Sequence, residues 1–207
     1  MSKGIHQIQM GTRELGYDPG PLDGLWGPRT LAAMQAVIAA RGQPKTSDDL
    51  PWMVRAKKVM GMHERADNAA LKAFLKSDGA TLGDPAERPW CGDFVETCIA
   101  LTLANEEFPG DLGDNRYWAR NWLLFGRETA PTYGAVLVFS RDGGGHVGFC
   151  AGADSTSFAV LGGNQSDRVS VARIARDRLL GARWPMTFPT RPIHLPSATG
   201  ALSTNEA

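Results

Sequence analysis

The spacing of apolar residues changes near residue 134, and that change limits the chain to folds in which helices come first and strands follow. Beyond it, AVLVFS (135–140), HVGFCAG (146–152), FAVLGGN (158–164) and VSVARI (169–174) are short apolar runs parted by turns rich in Gly and Asp. That is the signature of antiparallel strands. Before it, apolar residues recur at helical spacing over 52–60, over 68–76, and along Phe94, Val95, Cys98, Ile99 and Leu103. A further helix is expected in RYWARNWLLFG, with Trp118, Trp122 and Phe125 on one face, and there both tryptophans read as core. Helices segregated from strands in this way predict an α+β domain with its helices on one face of a small sheet.

The first forty residues form a separate unit. A short helix is expected over 5–15, then the turn-dense GYDPGPLDGLWG, then a helix opening at Pro28 with Leu31, Met34, Val37 and Ile38 on its apolar face. The polar, proline-containing RGQPKTSDDLP reads as a linker. The expected organisation is a helical module over 1–42, a linker over 43–50, a main domain over 51–186, and an extended or disordered tail over 187–207, rich in Pro, Ser and Thr.

Several function classes are disfavoured. Lys and Arg number 22, as do Asp and Glu, so no bulk charge draws the chain to nucleic acid or anionic membranes. LAAMQAVIAA is too short to span a bilayer, so no stable membrane insertion is expected. MSKGIHQIQM lacks the apolar core of a secretory signal, and synthesis in the cytosol is expected. Three cysteines, an odd number without a C-x2-C pair, and four scattered histidines argue against a disulfide framework and against a metal. No cofactor is implied, and a monomer is expected.

Residues 89–98, PWCGDFVETC, place Cys91 at the start of a helix. There, unpaired N–H groups and the positive end of the dipole stabilise a thiolate and can hold an oxyanion. A thiolate mechanism needs a base. His146 opens a strand after three glycines, 143–145, that let backbone or substrate come close. Alternation puts His146, Gly148 and Cys150 on one face, with Gly148 leaving room beside the imidazole. Asn164, just past a strand, could orient the ring, with Gln165 and Asp154 as weaker choices. Trp90, Gly145 and Gln165 are candidates for contact with substrate.

In order, PWCGDFVETC, YGAVLVFSR, GGHVGFCAG, VLGGNQSDRV and GARWP resemble the NlpC-type cysteine peptidases and CHAP amidases, closest to a phage-associated branch of that papain-like group, over about residues 51–186. The resemblance implies a papain-like fold with Cys91 as nucleophile, His146 as base and Asn164 orienting the histidine. LGYDPGPLDGLWGPRTLAAMQAV resembles the small helical peptidoglycan-binding module, shortened by a helix and a turn. That likeness implies wall contact through Tyr17, Asp23, Trp26 and Thr30. Together the two imply a modular phage endolysin that cleaves an amide bond of bacterial peptidoglycan, reaching the wall through a separate pore. Endopeptidase is slightly favoured over N-acetylmuramoyl-L-alanine amidase. The alternatives are an interbacterial effector with the same chemistry, or a wall-binding protein without catalysis.

Overall fold

The computed structural model of the chain describes residues 2–40, 49–108, 115–189, 195–198 and 202–203. Residues 43–48 of the expected linker lie outside the described residues, as do 190–194, 199–201 and 204–207 of the expected tail. The chain divides into two units, Met1–Asp49 and Leu50–Ala207.

The first unit contains α1 (Lys3–Glu14) and α2 (Pro28–Ala40), with Pro28 at the first helical position, where its missing N–H costs nothing. The turn between them is held by Gln9, a buried polar residue of α1. Its amide nitrogen donates to Asp23 Oδ1, the Leu25 carbonyl and Thr30 Oγ1 at 3.0, 3.0 and 3.2 Å, while its oxygen accepts the Gly24 N–H at 2.9 Å. A buried amide satisfied on both sides fixes the loop more firmly than apolar packing could.

The second unit is α+β. It contains α3 (Pro51–Lys58), α4 (Asn68–Leu75), α5 (Cys91–Ala100), a 3-10 helix over Ala119–Leu124, and strands β1 (Arg127–Glu128), β2 (Val136–Arg141), β3 (Gly144–Ala153), β4 (Ser157–Gly162), β5 (Ser170–Ala175) and β6 (Leu179–Trp184). The strands form one six-stranded sheet in the order β1-β6-β2-β3-β4-β5, and each pair is antiparallel. The expected RYWARNWLLFG helix is therefore a single 3-10 stretch, and β1 and β6 add two strands to the four expected. Of the expected tail, Phe188 packs edge-on against Trp52, and residues 195–198 run beside the end of β3 through Ala153 N–H to Pro196 O and Ala198 N–H to Ala153 O.

The core lies between α5 and the sheet. Every residue of α5 from Cys91 to Ile99 is buried, so this helix is central and lacks a solvent face. Phe94 sits 6.3 Å from Phe149 of β3 and 6.1 Å from Phe74 of α4, ring centre to ring centre. Burying each such ring stabilises the fold by about 2 kcal/mol. Val136 to Phe139 of β2 are fully buried, which requires cover on both faces of the sheet. Gly92 allows the chain to pass close by: a Cβ there would lie 2.1 Å from the carbonyl oxygen of Tyr117.

Burying α5 also buries two of its carboxyl groups. Asp93 accepts from Thr81 Oγ1 and the Leu82 N–H, both at 2.9 Å, yet burial lifts its pKa to about 6. Burial, and then Asp78 beside it, raise Glu96 to about 8 against the pull of Arg116, which donates to Glu96 Oε1 at 2.9 Å. Folded Glu96 thus holds a proton that unfolding releases at neutral pH. The stability it contributes is fully present below the usual glutamate pKa of 4.5 and is lost as the pH rises through about 8. Thermal melts should show the wild type losing more stability than Glu96→Gln between about pH 4.5 and about pH 8, by about 2–4 °C per kcal/mol. Equal losses would mean that this carboxyl ionises as an exposed one does.

Candidate active site

Cys91 is the first residue of α5, preceded by the cap residue Trp90, whose side chain makes no capping bond. The backbone N–H groups of Val147 in β3, of Gly92 and of Cys91 itself favour its charged form. Val147 follows His146 in β3, and α5 packs on β3 through Phe94 and Phe149, so the two candidate catalytic residues sit on elements packed against each other. The expectation that the helix start would favour the thiolate needs correcting. With Cys91 only 5 % exposed, burial raises its pKa, outweighing the amides and the nearby Arg141. Cys98 and Cys150 are buried in the core, where burial pushes their thiols up, Cys150 to about 12.

His146 is fully buried in β3, and its Nε2 lies 3.1 Å from Oε1 of Gln165. The Gln165 amide nitrogen donates to the Ser170 carbonyl at 2.6 Å and to the carbonyls of Val160 and Gly162, each at 3.3 Å. Those carbonyls accept only from N–H, so the amide cannot be flipped and its oxygen must face the ring. In the neutral imidazole Nε2 therefore carries the proton and Nδ1 the lone pair. Gly162 makes this pairing possible, since a Cβ there would lie 3.1 Å from Gln165 Oε1 and 3.3 Å from His146 Nε2.

Gln165, then, stands where the sequence had assigned Asn164. Asn164 lies just ahead of it with a positive φ of 57°, buried, and borders a second cavity. Asp154 is also elsewhere. It closes the β3–β4 turn by accepting from the Thr156 and Ser157 N–H groups, both at 2.8 Å, and its pKa is lowered by those bonds. Gly148 does not make room for the imidazole either. A Cβ there would strike Val160 Cγ1 at 2.6 Å, so its bareness serves the packing of β4.

Cys91 opens into a cleft of about 340 Å³ bordered by Arg88, Tyr117, Trp118, Arg141 and the glycines 143–145. Gly145 lies in this wall, as expected of a substrate contact. Trp90 does not: it is 1 % exposed, its ring lies where a Cβ of Gly163 would meet it at 2.4 Å, and its indole N–H donates to Glu64 Oε2 at 3.1 Å. It positions the neighbouring loop and does not line the groove. Trp122 is core, as expected, but Trp118 is 57 % exposed on the cleft rim, because the 3-10 helix begins only after it. Arg88, Arg141 and Tyr117 were not singled out in the sequence; only the position of Arg88 three residues before Cys91 could have drawn attention to it.

In the first unit, Asp23 and Thr30 are tied to Gln9 and hold the turn, Tyr17 is half-buried, and Trp26 is 48 % exposed. Among the described residues, no group of three or more His, Cys, Asp or Glu side chains could hold a metal ion.

No curated protein and no solved structure matches the chain. Residues 83–164, which run from the loop before Cys91 to the residue before Gln165, match the family model of the CHAP domain. This match supports a CHAP/NlpC-type peptidase and indicates hydrolysis of the peptidoglycan type, as an amidase or peptidase.

Proposed function

We propose that this protein is a phage endolysin that hydrolyses an amide bond of bacterial peptidoglycan through a Cys91–His146 thiol mechanism on a papain-like domain. The observation that carries the reading is Cys91 at the first turn of a helix packed on β3, the strand whose His146 imidazole is fixed by Gln165.

The chemistry follows from that arrangement. Nδ1 of His146 takes the thiol proton as the sulfur attacks the substrate carbonyl carbon, so the ion pair forms only as the bond is made. This suits a thiol whose burial disfavours a standing thiolate. The N–H groups at the start of α5 face the developing oxyanion. The imidazolium, stabilised through Nε2 by Gln165, hands its proton to the departing amine, and a thioester remains. Water then attacks with His146 as base, releasing the new carboxylate and regenerating the thiol.

Cleavage within the stem peptide is favoured over cleavage of the muramoyl–alanine bond, because Arg88 and Arg141 border the cleft and match the carboxylates that stem peptides carry. The N-terminal unit, with its exposed Trp26, would hold the enzyme to the wall. The protein would act from the host cytoplasm once a separate pore admits it.

Three outcomes test this reading. Cys91→Ala and His146→Ala should each cut the clearing of outer-membrane-stripped cells by at least about a thousandfold; undiminished clearing by Cys91→Ala would end the proposal. On a soluble muropeptide, Gln165→Ala should lower kcat by about 10–100-fold and Asn164→Ala should not; the reverse order would return the orienting role to Asn164. Mass spectrometry of digested sacculi should find cut stems with the sugar linkage intact, whereas a new lactyl carboxyl would identify an amidase.

A further inference from the structure

Arg141 ends β2 and pairs with Gly144 of β3, two residues along the ladder from the pairing of Phe139 with His146. Ladder partners share a face of the sheet and alternate residues return to it, so Arg141 and His146 lie on one face, on a diagonal. Arg141 also borders the cleft into which Cys91 opens. The hairpin end that carries it is braced from two sides. Arg120 Nε donates to the Gly144 carbonyl at 2.8 Å, and the stem of Arg120 lies where a Cβ of Gly145 would meet its Cγ at 2.8 Å. On the other side Ser140 Oγ donates to the Arg178 carbonyl at 3.2 Å, and the Ser140 carbonyl accepts from Arg178 Nε at 3.1 Å. A half-buried cation is thus held at the cleft of the nucleophile, on the sheet face of the base.

Other charged and titratable groups surround Cys91, each engaged elsewhere. Arg88 lays its stem on the loop before the helix, with Cδ 3.7 Å from where a Cβ of Gly83 would stand. Asp93, in the first turn of α5, turns its carboxyl to Thr81 and Leu82. Burial pushes the Tyr117 phenol up to about 12, which leaves it neutral. His146 is held at Nε2 by Gln165, and Asp142 is exposed at the hairpin turn. The charge of Arg141 favours the charged form of Cys91, against the burial that opposes it. We infer that the Arg141 guanidinium is the electrostatic partner of Cys91, stabilising the negative charge that passes onto the sulfur as the thiol yields its proton to His146. Guanidinium groups keep their charge over the whole working range of pH, so the help does not titrate away. At a buried sulfur such a charge counts for more than it does in water. The inference rests on the proposed hydrolysis and adds a third charged group to the Cys91–His146 pair.

The test needs no substrate. Iodoacetamide, small and uncharged, alkylates the Cys91 thiolate of the full chain, and its rate against pH gives the kinetic pKa of that thiol. Mass spectrometry of the digested chain assigns the alkylated residue. Arg141→Met should raise this kinetic pKa by about one unit, slowing alkylation at about pH 7 by about tenfold, and Arg141→Lys should restore most of the rate. Asp93 and His146 are present in every one of these chains, so the difference isolates Arg141. Arg141→Gln serves as the neutral variant if the methionine chain does not melt cooperatively. On a soluble muropeptide, kcat should fall with the neutral variants and recover with lysine. A kinetic pKa unmoved by loss of the charge, or a lysine variant as slow as the neutral ones, overturns the pairing. So does a loss confined to KM, which would make Arg141 a contact for substrate alone. Those results leave the hydrolase standing as long as wall clearing depends on Cys91. Clearing that does not depend on Cys91 overturns the hydrolase mechanism, and alkylation still decides whether Arg141 acts on the sulfur.

Discussion

The first turn of α5 pressed against β3 is the contact on which the rest of the second unit depends. It brings backbone N–H groups from two elements to one sulfur, and only a bare Gly92 lets Tyr117 approach closely enough to close the cleft wall behind it. A helix buried on every side cannot shift without disturbing Phe74, Phe149 and the sheet together. The position of Cys91 is thus set by the packed core. The same burial has a cost, seen in the raised pKa values of Cys91, Asp93 and Glu96. The helix keeps its acidic groups partly protonated because their alternative is charge without water.

Burial also changes how the thiol must work. An exposed helix-start cysteine gains from the dipole and stands ready as a thiolate. Here desolvation outweighs the amides, so the N–H groups around the sulfur contribute most when negative charge appears on sulfur or on oxygen during reaction. The carbonyls that hold the Gln165 nitrogen lock its oxygen, and through it the tautomer of His146.

Much of this was legible in the residues. The helix over Asn68–Leu75, the start of α5 at Cys91 and the strands β2 to β5 follow from apolar periodicity, which burial enforces. The identity of the orienting residue was not legible, for a definite reason. Alternation along β4 ends at Gly162, and within the next five residues Asn164, Ser166 and Asp167 all adopt positive φ. Counting by twos fails across such a loop, and the inward-facing amide falls on Gln165. Trp118 was misread because helical spacing assumes 3.6 residues per turn, whereas the 3-10 helix begins one residue later and leaves the indole outside. Gln9 escaped notice because a polar residue amid helical neighbours carries no periodic signal; its role exists only once the turn folds around it.

The segment 87–91 links the cleft, the second cavity and the start of α5. Glu87 and Arg88 border the second cavity, Arg88 and Pro89 border the cleft, Trp90 anchors the loop, and Cys91 opens α5. Trp90 lies against Gly163 and Phe94 and bonds Glu64, so the loop bearing Asn164 and Gln165 and the turn bearing the nucleophile share one rigid support. The backbone ties between 61–64 and 167–169, Gly61 N–H to Val169 O and Glu64 N–H to Asp167 O at 2.8 Å each, brace the far side of the same loop. Strain in three consecutive-neighbourhood residues at positive φ is tolerable there because buried bonds over-determine the loop from both sides.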